Sequence, residues 1–260
     1  MRQLILPGNR AGDSRFVLDE KTSRYLVRVL RMENSDRFSA MDEAGHSFDC
    51  EIVEASAVAA TIVLSPEART VEQAPGGLRL ALVQALPKGQ KMDLIVRQAV
   101  EAGVTAIFPL QTRNCVVRER NDADKMEKLR RRQKIAKEAL QQSGSAVRTK
   151  IFPATTIEAL PGILAAEGFP AESSLYLMCH ELPLAEKSLH EYCAGALSPT
   201  VILVGSEGGF LPEETEAFRI MGFKLIHFEG TILRTETAAL FSVAAVRTIC
   251  MERTSWILSK

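Results

Sequence analysis

The sequence predicts an α/β fold in two parts: a C-terminal domain built on a parallel sheet, preceded by a small β-barrel-like module. Three observations carry this expectation. Residues 1–70 hold short segments in which polar and apolar side chains alternate, the period of half-buried strands. From residue 78 the strand candidates are continuous apolar runs, which suit strands covered on both faces. Amphipathic stretches lie between those runs, and strand–helix alternation implies parallel strands joined by crossover helices.

In the first part, Arg37 to Met41 and Ser47 to Val53 alternate around a turn at Asp42 to Gly45, and Ala60 to Leu64 is a further β-rich run. One helix interrupts them: Lys21 to Arg31 gathers Tyr25, Leu26, Val29 and Leu30 on one side. Glu72 to Gly77 carries the breakers of a linker, so domains are expected at 1–72 and 73–260. In the second part the apolar runs are Leu80 to Leu86, Val104 to Phe108, Ser174 to Cys179, Val201 to Val204 and Lys224 to Phe228. Met92, Ile95, Val96, Ala99 and Val100 follow helical spacing. A long basic helix is expected over 123–143, with Leu129, Ala136, Leu140 and Ser143 on its apolar face. Glu213 to Met221 and Thr237 to Met251 are two more helices, the second apolar nearly all round from Ala238 to Val246, as for deep burial or an oligomer interface.

Composition narrows the function classes. With 260 residues, 46% hydrophobic and 25% charged, the chain is neither disordered, collagen-like nor a disulfide-stapled miniprotein. Lys+Arg and Asp+Glu are both 32, so no global field draws a polyanion, and such a partner must be held by a local patch. The five cysteines (Cys50, Cys115, Cys179, Cys193, Cys250) are scattered without a CxxC, so buried reduced thiols are expected rather than a zinc site or disulfides. MRQLILPGNR is too short an apolar run for a signal peptide, and no run reaches the ~20 residues of a membrane span. A cytoplasmic protein without metal or membrane association is expected.

Two segments carry chemistry. Val201 to Glu214 (VILVGSEGGFLPEE) takes a buried strand into a glycine turn and then a helix, with Pro212 in its first turn and acids behind it. This turn is neither a Walker loop nor GxGxxG, since the glycines stand at Gly205, Gly208 and Gly209. Phe228 to Leu240 (FEGTILRTETAAL) again joins an apolar strand to an apolar helix, which Thr235 or Thr237 can cap. Arg234 beside Glu236 at that helix start is either a structural ion pair or an electrostatic clamp for substrate.

Together, VGSEGGF and ILRTETAAL resemble the signature of the bacterial 16S rRNA (uracil-N3)-methyltransferases, the RsmE family of the SPOUT, or trefoil-knot, class. Arg28 to Met32 resembles the family's N-terminal VLR motif, Leu86 to Met92 with Val100 to Val104 its first strand–helix unit, and Lys134 to Ala139 with Gln142 to Gly144 its central helix. Departures are Ser206 for the proline of the glycine turn, Thr231 for an arginine before ILR, Ser145 for an arginine after Gln-Ser-Gly, Arg132 for a tryptophan and Tyr25 for a histidine.

The resemblance implies a PUA-like β-barrel domain, a knotted α/β domain, a homodimer, and S-adenosyl-L-methionine as cofactor. Cofactor contacts are expected from Cys179, His180 and Glu181, from Gly205, Ser206, Glu207, Gly208 and Gly209, and from Phe228, Glu229, Gly230, Ile232, Leu233 and Thr237. The implied substrate is a uridine in 16S rRNA of the small ribosomal subunit. As N3 loses its proton, the imide anion spreads onto two carbonyl oxygens, so a nearby cation lowers the barrier. Arg234 is expected in that role; Glu236 or Glu207 either takes the proton or orders the loop. Phosphate contacts are expected from Arg24, Arg28 and Arg31, spaced for one helix face, and from Lys88, Arg130, Arg131 and Lys134. The alternatives are a catalytically weakened RNA-binding paralogue and a dinucleotide-dependent oxidoreductase. The latter is opposed by the absence of GxGxxG.

Overall fold

A computed structural model describes residues 3–66, 77–119, 121–195 and 197–252. The chain divides into two compact units, 1–72 with 140–146 and 73–139 with 147–260. The expected linker at 72–77 lies, Gly77 apart, outside the described residues.

The first unit is a five-stranded sheet in the order β1 (Gln3–Leu6), β3 (Arg37–Asp42), β4 (Ser47–Glu54), β5 (Thr61–Pro66), β2 (Arg15–Val17). Only β1 and β3 pair in parallel; the other ladders are antiparallel. The alternation does what the sequence implies: Phe48, Cys50, Ile52, Ile62 and Leu64 point into one core with Leu4, Leu6 and Leu26. The expected helix differs in form. It begins as α1 (Glu20–Arg24), capped by Asp19, whose carboxylate accepts from Thr22 N at 2.7 Å, and passes into a π-helical turn over Tyr25–Val29. Met32 N donates to Leu26 O at 3.0 Å and closes the turn, which forces Arg31 to φ 57°, outside the helix. Gln3 Nε2 donates to Leu140 O and Ser145 O, at 3.0 and 2.9 Å, within this unit.

Asp42 is fully buried and accepts from Arg10 N at 2.7 Å, His46 N at 2.8 Å and His46 Nδ1 at 2.9 Å. Burial pushes its carboxyl up, but these hydrogen bonds and the His46 charge outweigh it and hold the pKa below the usual value. A depressed folded-state pKa stabilises above the unfolded pKa, and that stability is lost as pH falls through the folded value. Asp42→Asn is therefore expected to flatten the fall of melting temperature below pH ~4 relative to the parent, in a thermal-melting series from pH 7 to 3.

The second unit is an all-parallel sheet in the order β12 (Lys224–Ile226), β10 (Leu175–Cys179), β11 (Thr200–Val204), β6 (Leu80–Ala85), β7 (Ala106–Gln111), β8 (Lys150–Ile151), with β9 (Thr155–Thr156) also on β7. Every residue of β6 and β11 is buried, as the continuous apolar runs require. One core joins Val83, Phe108, Met178, Leu203, Phe218 and Phe223. Helix α2 (Lys91–Glu101) buries the five apolar residues its spacing selects. Helices α3 (Asp122–Ser143) and α6 (Pro212–Ile220) fall within a residue of expectation. The short α4 (Leu160–Ala166) and α5 (Leu189–Tyr192) are too brief to leave a periodic signal. From the edge strand β12 the chain returns to the middle of the sheet, where α7 (Thr235–Glu252) packs on β11, β6 and α2.

Candidate active site

Register sets the strand ends level: Cys179 pairs with Ile226, Met178 with Leu203, and Val204 with Gln84. The segments leaving β10, β11 and β12 therefore open side by side at the carboxyl rim, where open α/β sheets bind ligands. They enclose a cavity of about 440 Å³, a size typical of small-molecule sites. Cys179, His180 and Glu181 form one wall; Gly205, Ser206, Glu207, Gly209 and Phe210 form the second. The third runs from His227 and Phe228 through Ile232, Leu233 and Arg234 to Thr235. Gly208, Glu229, Gly230 and Thr237 do not line it. Gly208 O instead accepts from Asn114 Nδ2 at 2.8 Å, and a Cβ on Gly208 would meet Asn114 Cβ at 2.9 Å. Backbone approach is what this glycine permits.

Side chains tie the walls together. Gln84, fully buried at the end of β6, donates from Nε2 to Thr235 Oγ1 at 3.0 Å and to Gly205 O at 3.3 Å. Thr235 Oγ1 itself donates to Gly205 O at 2.6 Å, so its hydroxyl is spent on the glycine turn. Thr235→Val keeps the shape and removes that donor; a loss of about 1–3 kcal/mol is expected in denaturant unfolding. His227 Nδ1 donates to His180 O at 3.1 Å, since a carbonyl can only accept. Glu214, buried at the start of α6, accepts from Arg113 N at 2.7 Å and Leu211 N at 3.0 Å, which anchors the loop after β7 to the far side of the glycine turn.

Charge is distributed unevenly. Lys91 Nζ lies 2.8 Å from Glu207 Oε1 and 3.2 Å from Glu236 Oε2, so Glu236 pairs with Lys91 and not with its neighbour Arg234. Among the described residues nothing pairs with the Arg234 guanidinium, which is exposed at the lip of the cavity. Burial pushes the Cys179 thiol up to about 12, which keeps it protonated and unreactive at neutral pH. Among the described residues no group of three side chains is placed to hold a metal ion, and no helix is long and apolar enough to cross a membrane.

Residues 74–247 match the RNA methyltransferase domain family, and residues 18–65 match the RNA methyltransferase PUA domain. The chain belongs to the RNA methyltransferase family. A Borreliella burgdorferi protein named ribosomal RNA small subunit methyltransferase E 2 is 26% identical over 246 residues, 94% of this chain and 96% of that protein. The Rickettsia conorii ribosomal RNA small subunit methyltransferase E is 32% identical over 170 residues, 65% of this chain and 64% of that one. The crystal structure of ribosomal RNA small subunit methyltransferase E from Neisseria gonorrhoeae, bound to S-adenosyl methionine, matches with TM-score 0.75 and 27% identity over 96% of this chain and 98% of that chain.

In this RNA methyltransferase the basic residues expected to meet RNA are placed differently from one another. On the first unit Arg24, Arg28 and Arg31 are exposed, but Arg24 is 3.2 Å from Glu20 and Arg31 stands off the helix face. On the second unit Lys88, Arg130 and Lys134 are exposed, whereas Arg131 is ion-paired with Asp93. Arg132 lies within the same basic run yet is buried against Glu119. Sequence reasoning missed Gln84, Lys91, Asn114 and His227. Only Gln84 left a signal: it is the one polar residue in Leu80 to Leu86.

Proposed function

We propose that this RNA methyltransferase transfers the methyl group of S-adenosylmethionine to N3 of a uridine in 16S rRNA of the small ribosomal subunit, acting as a homodimer in the cytoplasm. The observation that carries this reading is the cavity between the loops after β10, β11 and β12, with Arg234, unpaired among the described residues, at its lip. The residues present suit the cofactor: the Gly205–Gly209 turn admits close backbone contacts, and Phe210, Phe228 and Leu233 offer apolar surface for a flat base. The Neisseria gonorrhoeae relative, bound to that cofactor, supports the assignment. The relatives' names support the ribosomal RNA substrate.

When bound, the cofactor supplies an electrophilic methyl carbon. The protein's task is then to orient the uridine and to stabilise the charge that develops as N3 gives up its proton to water. Arg234 places a cation against the anion spreading over the two pyrimidine carbonyl oxygens. Glu207 and Glu236, both engaged by Lys91, order the loops. Exposed Arg24, Arg28 and Arg31 in the domain proposed at 1–72, and Lys88, Arg130 and Lys134 in that at 73–260, hold phosphates. Arg131 would join them on release from Asp93. Leu240 and Phe241, exposed on α7, support the homodimer.

The test is transfer of a tritiated methyl group to small subunits from a strain lacking the protein, with mapping of the labelled base. The expected product is N3-methyluridine at one position in 16S rRNA. Label on another base, or none in the presence of cofactor, would sink the reading.

A further inference from the structure

Lys91 begins α2 and lines the cavity, and its ammonium reaches two carboxylates, one on the cavity wall and one just behind it. Glu207 belongs to the glycine turn after β11, and Glu236 to the first turn of α7. Glu207 also accepts from Lys88 N, at 3.2 Å to each oxygen, so the whole α2 entry is drawn onto the glycine turn. The three side chains are 31%, 23% and 16% exposed, so the pairing is partly shielded from water. We infer that Lys91 is a positioning residue: it latches the glycine turn to the start of α7 and so sets the shape of the cavity in which the methyl donor is held. The inference deepens the proposed function and rests on the cavity being the donor's site.

The physical reason is the balance of charge. Two carboxylates share one ammonium, so removing the ammonium leaves like charges facing each other across the gap between two loops. The hydrogen bond to Glu207 raises the Lys91 pKa despite desolvation, and Glu236 adds to it. Burial pushes the Glu207 carboxyl up, but the hydrogen bonds from Lys91, its own backbone and Lys88 N outweigh it and hold the value below the usual range. The Lys91 ammonium and the Glu207 carboxylate therefore stay charged around neutral pH.

Lys91→Met, Lys91→Arg and the triple variant Lys91→Met, Glu207→Gln, Glu236→Gln test this. Three readouts are needed: cofactor affinity by calorimetry, turnover at saturating cofactor, and amide hydrogen exchange of the cofactor-free protein. In Lys91→Met the dissociation constant is expected to rise about 10–100-fold. Turnover at saturating cofactor is expected to stay within about threefold. Exchange should quicken at residues 205–209 and 234–238 while the amides of β6 and β7 keep parent rates. Lys91→Arg should restore most of the affinity. The triple variant should bind better than Lys91→Met, because it carries no unpaired carboxylates. Parent-like affinity and exchange in Lys91→Met would overturn the latch, as would quickened exchange across the whole sheet. A parent protein that does not bind the cofactor, with exchange still responding as described, would sink the donor-site reading and leave the latch standing.

Discussion

Arg234→Ala is expected to lower single-turnover methyl transfer to small ribosomal subunits by about 10²–10³-fold, the usual cost of removing one group that stabilises charge in a transition state. Cofactor affinity should move by no more than about threefold, since an interaction made only in the transition state appears in turnover and not in ground-state binding. The guanidinium is exposed at the cavity lip and unpaired among the described residues, so its removal strands no buried partner and leaves the fold intact. Arg234→Lys keeps the charge but not the planar fork that can address two oxygens, and should recover only part of the rate. Near-parental turnover in Arg234→Lys with unchanged substrate affinity would show that the residue has another role.

The second large effect is on stability. Arg132 and Glu119 form an ion pair whose side chains are 6% and 0% exposed. Among the described residues Arg132 Nη1 and Glu119 Oε2 have no hydrogen-bond partner, so neither charge has a substitute there if the other is removed. Arg132→Ala is expected to cost about 3–5 kcal/mol in urea unfolding, because it leaves an uncompensated carboxylate in the core. Replacing both residues by leucine should recover most of that loss, since a buried pair is often no better than apolar side chains of similar volume. A loss below about 1 kcal/mol for Arg132→Ala would mean that water reaches Glu119 and that the pair behaves as a surface one.

The Arg132 case shows where sequence reading reaches its limit. In KLRRRQK the three arginines differ only in helical phase: Arg132 stands three residues after Leu129 and four before Ala136, on the apolar face, but nothing in the sequence names Glu119 as its partner. Helical phase and the position of Glu119 bury one, the Asp93 carboxylate holds the second, and the third remains exposed. The same holds at the start of α7. Thr235 is a plausible cap by local rules, but Gly205 O and Gln84 Nε2, brought up by β11 and β6, take its hydroxyl. Arg31 is spaced for a helix face, but the π-helical turn ends before it and turns it aside.

Periodicity and turn chemistry are local, and local signals determined what the sequence could determine by itself: alternating strands ahead of an α/β sheet, the buried face of α2, and the strand–turn–helix units that place Gly205 and Arg234 at strand ends. The tertiary structure alone decided which of those units stand together and which charges remain available. Lys91, Glu207 and Glu236 lie far apart in the chain, and their attraction has no expression in sequence until parallel pairing of β6 with β11 and the return of α7 from β12 onto those strands bring their carriers together. Electrostatic pairing depends on distance in space, and only the register of the folded sheet sets that distance.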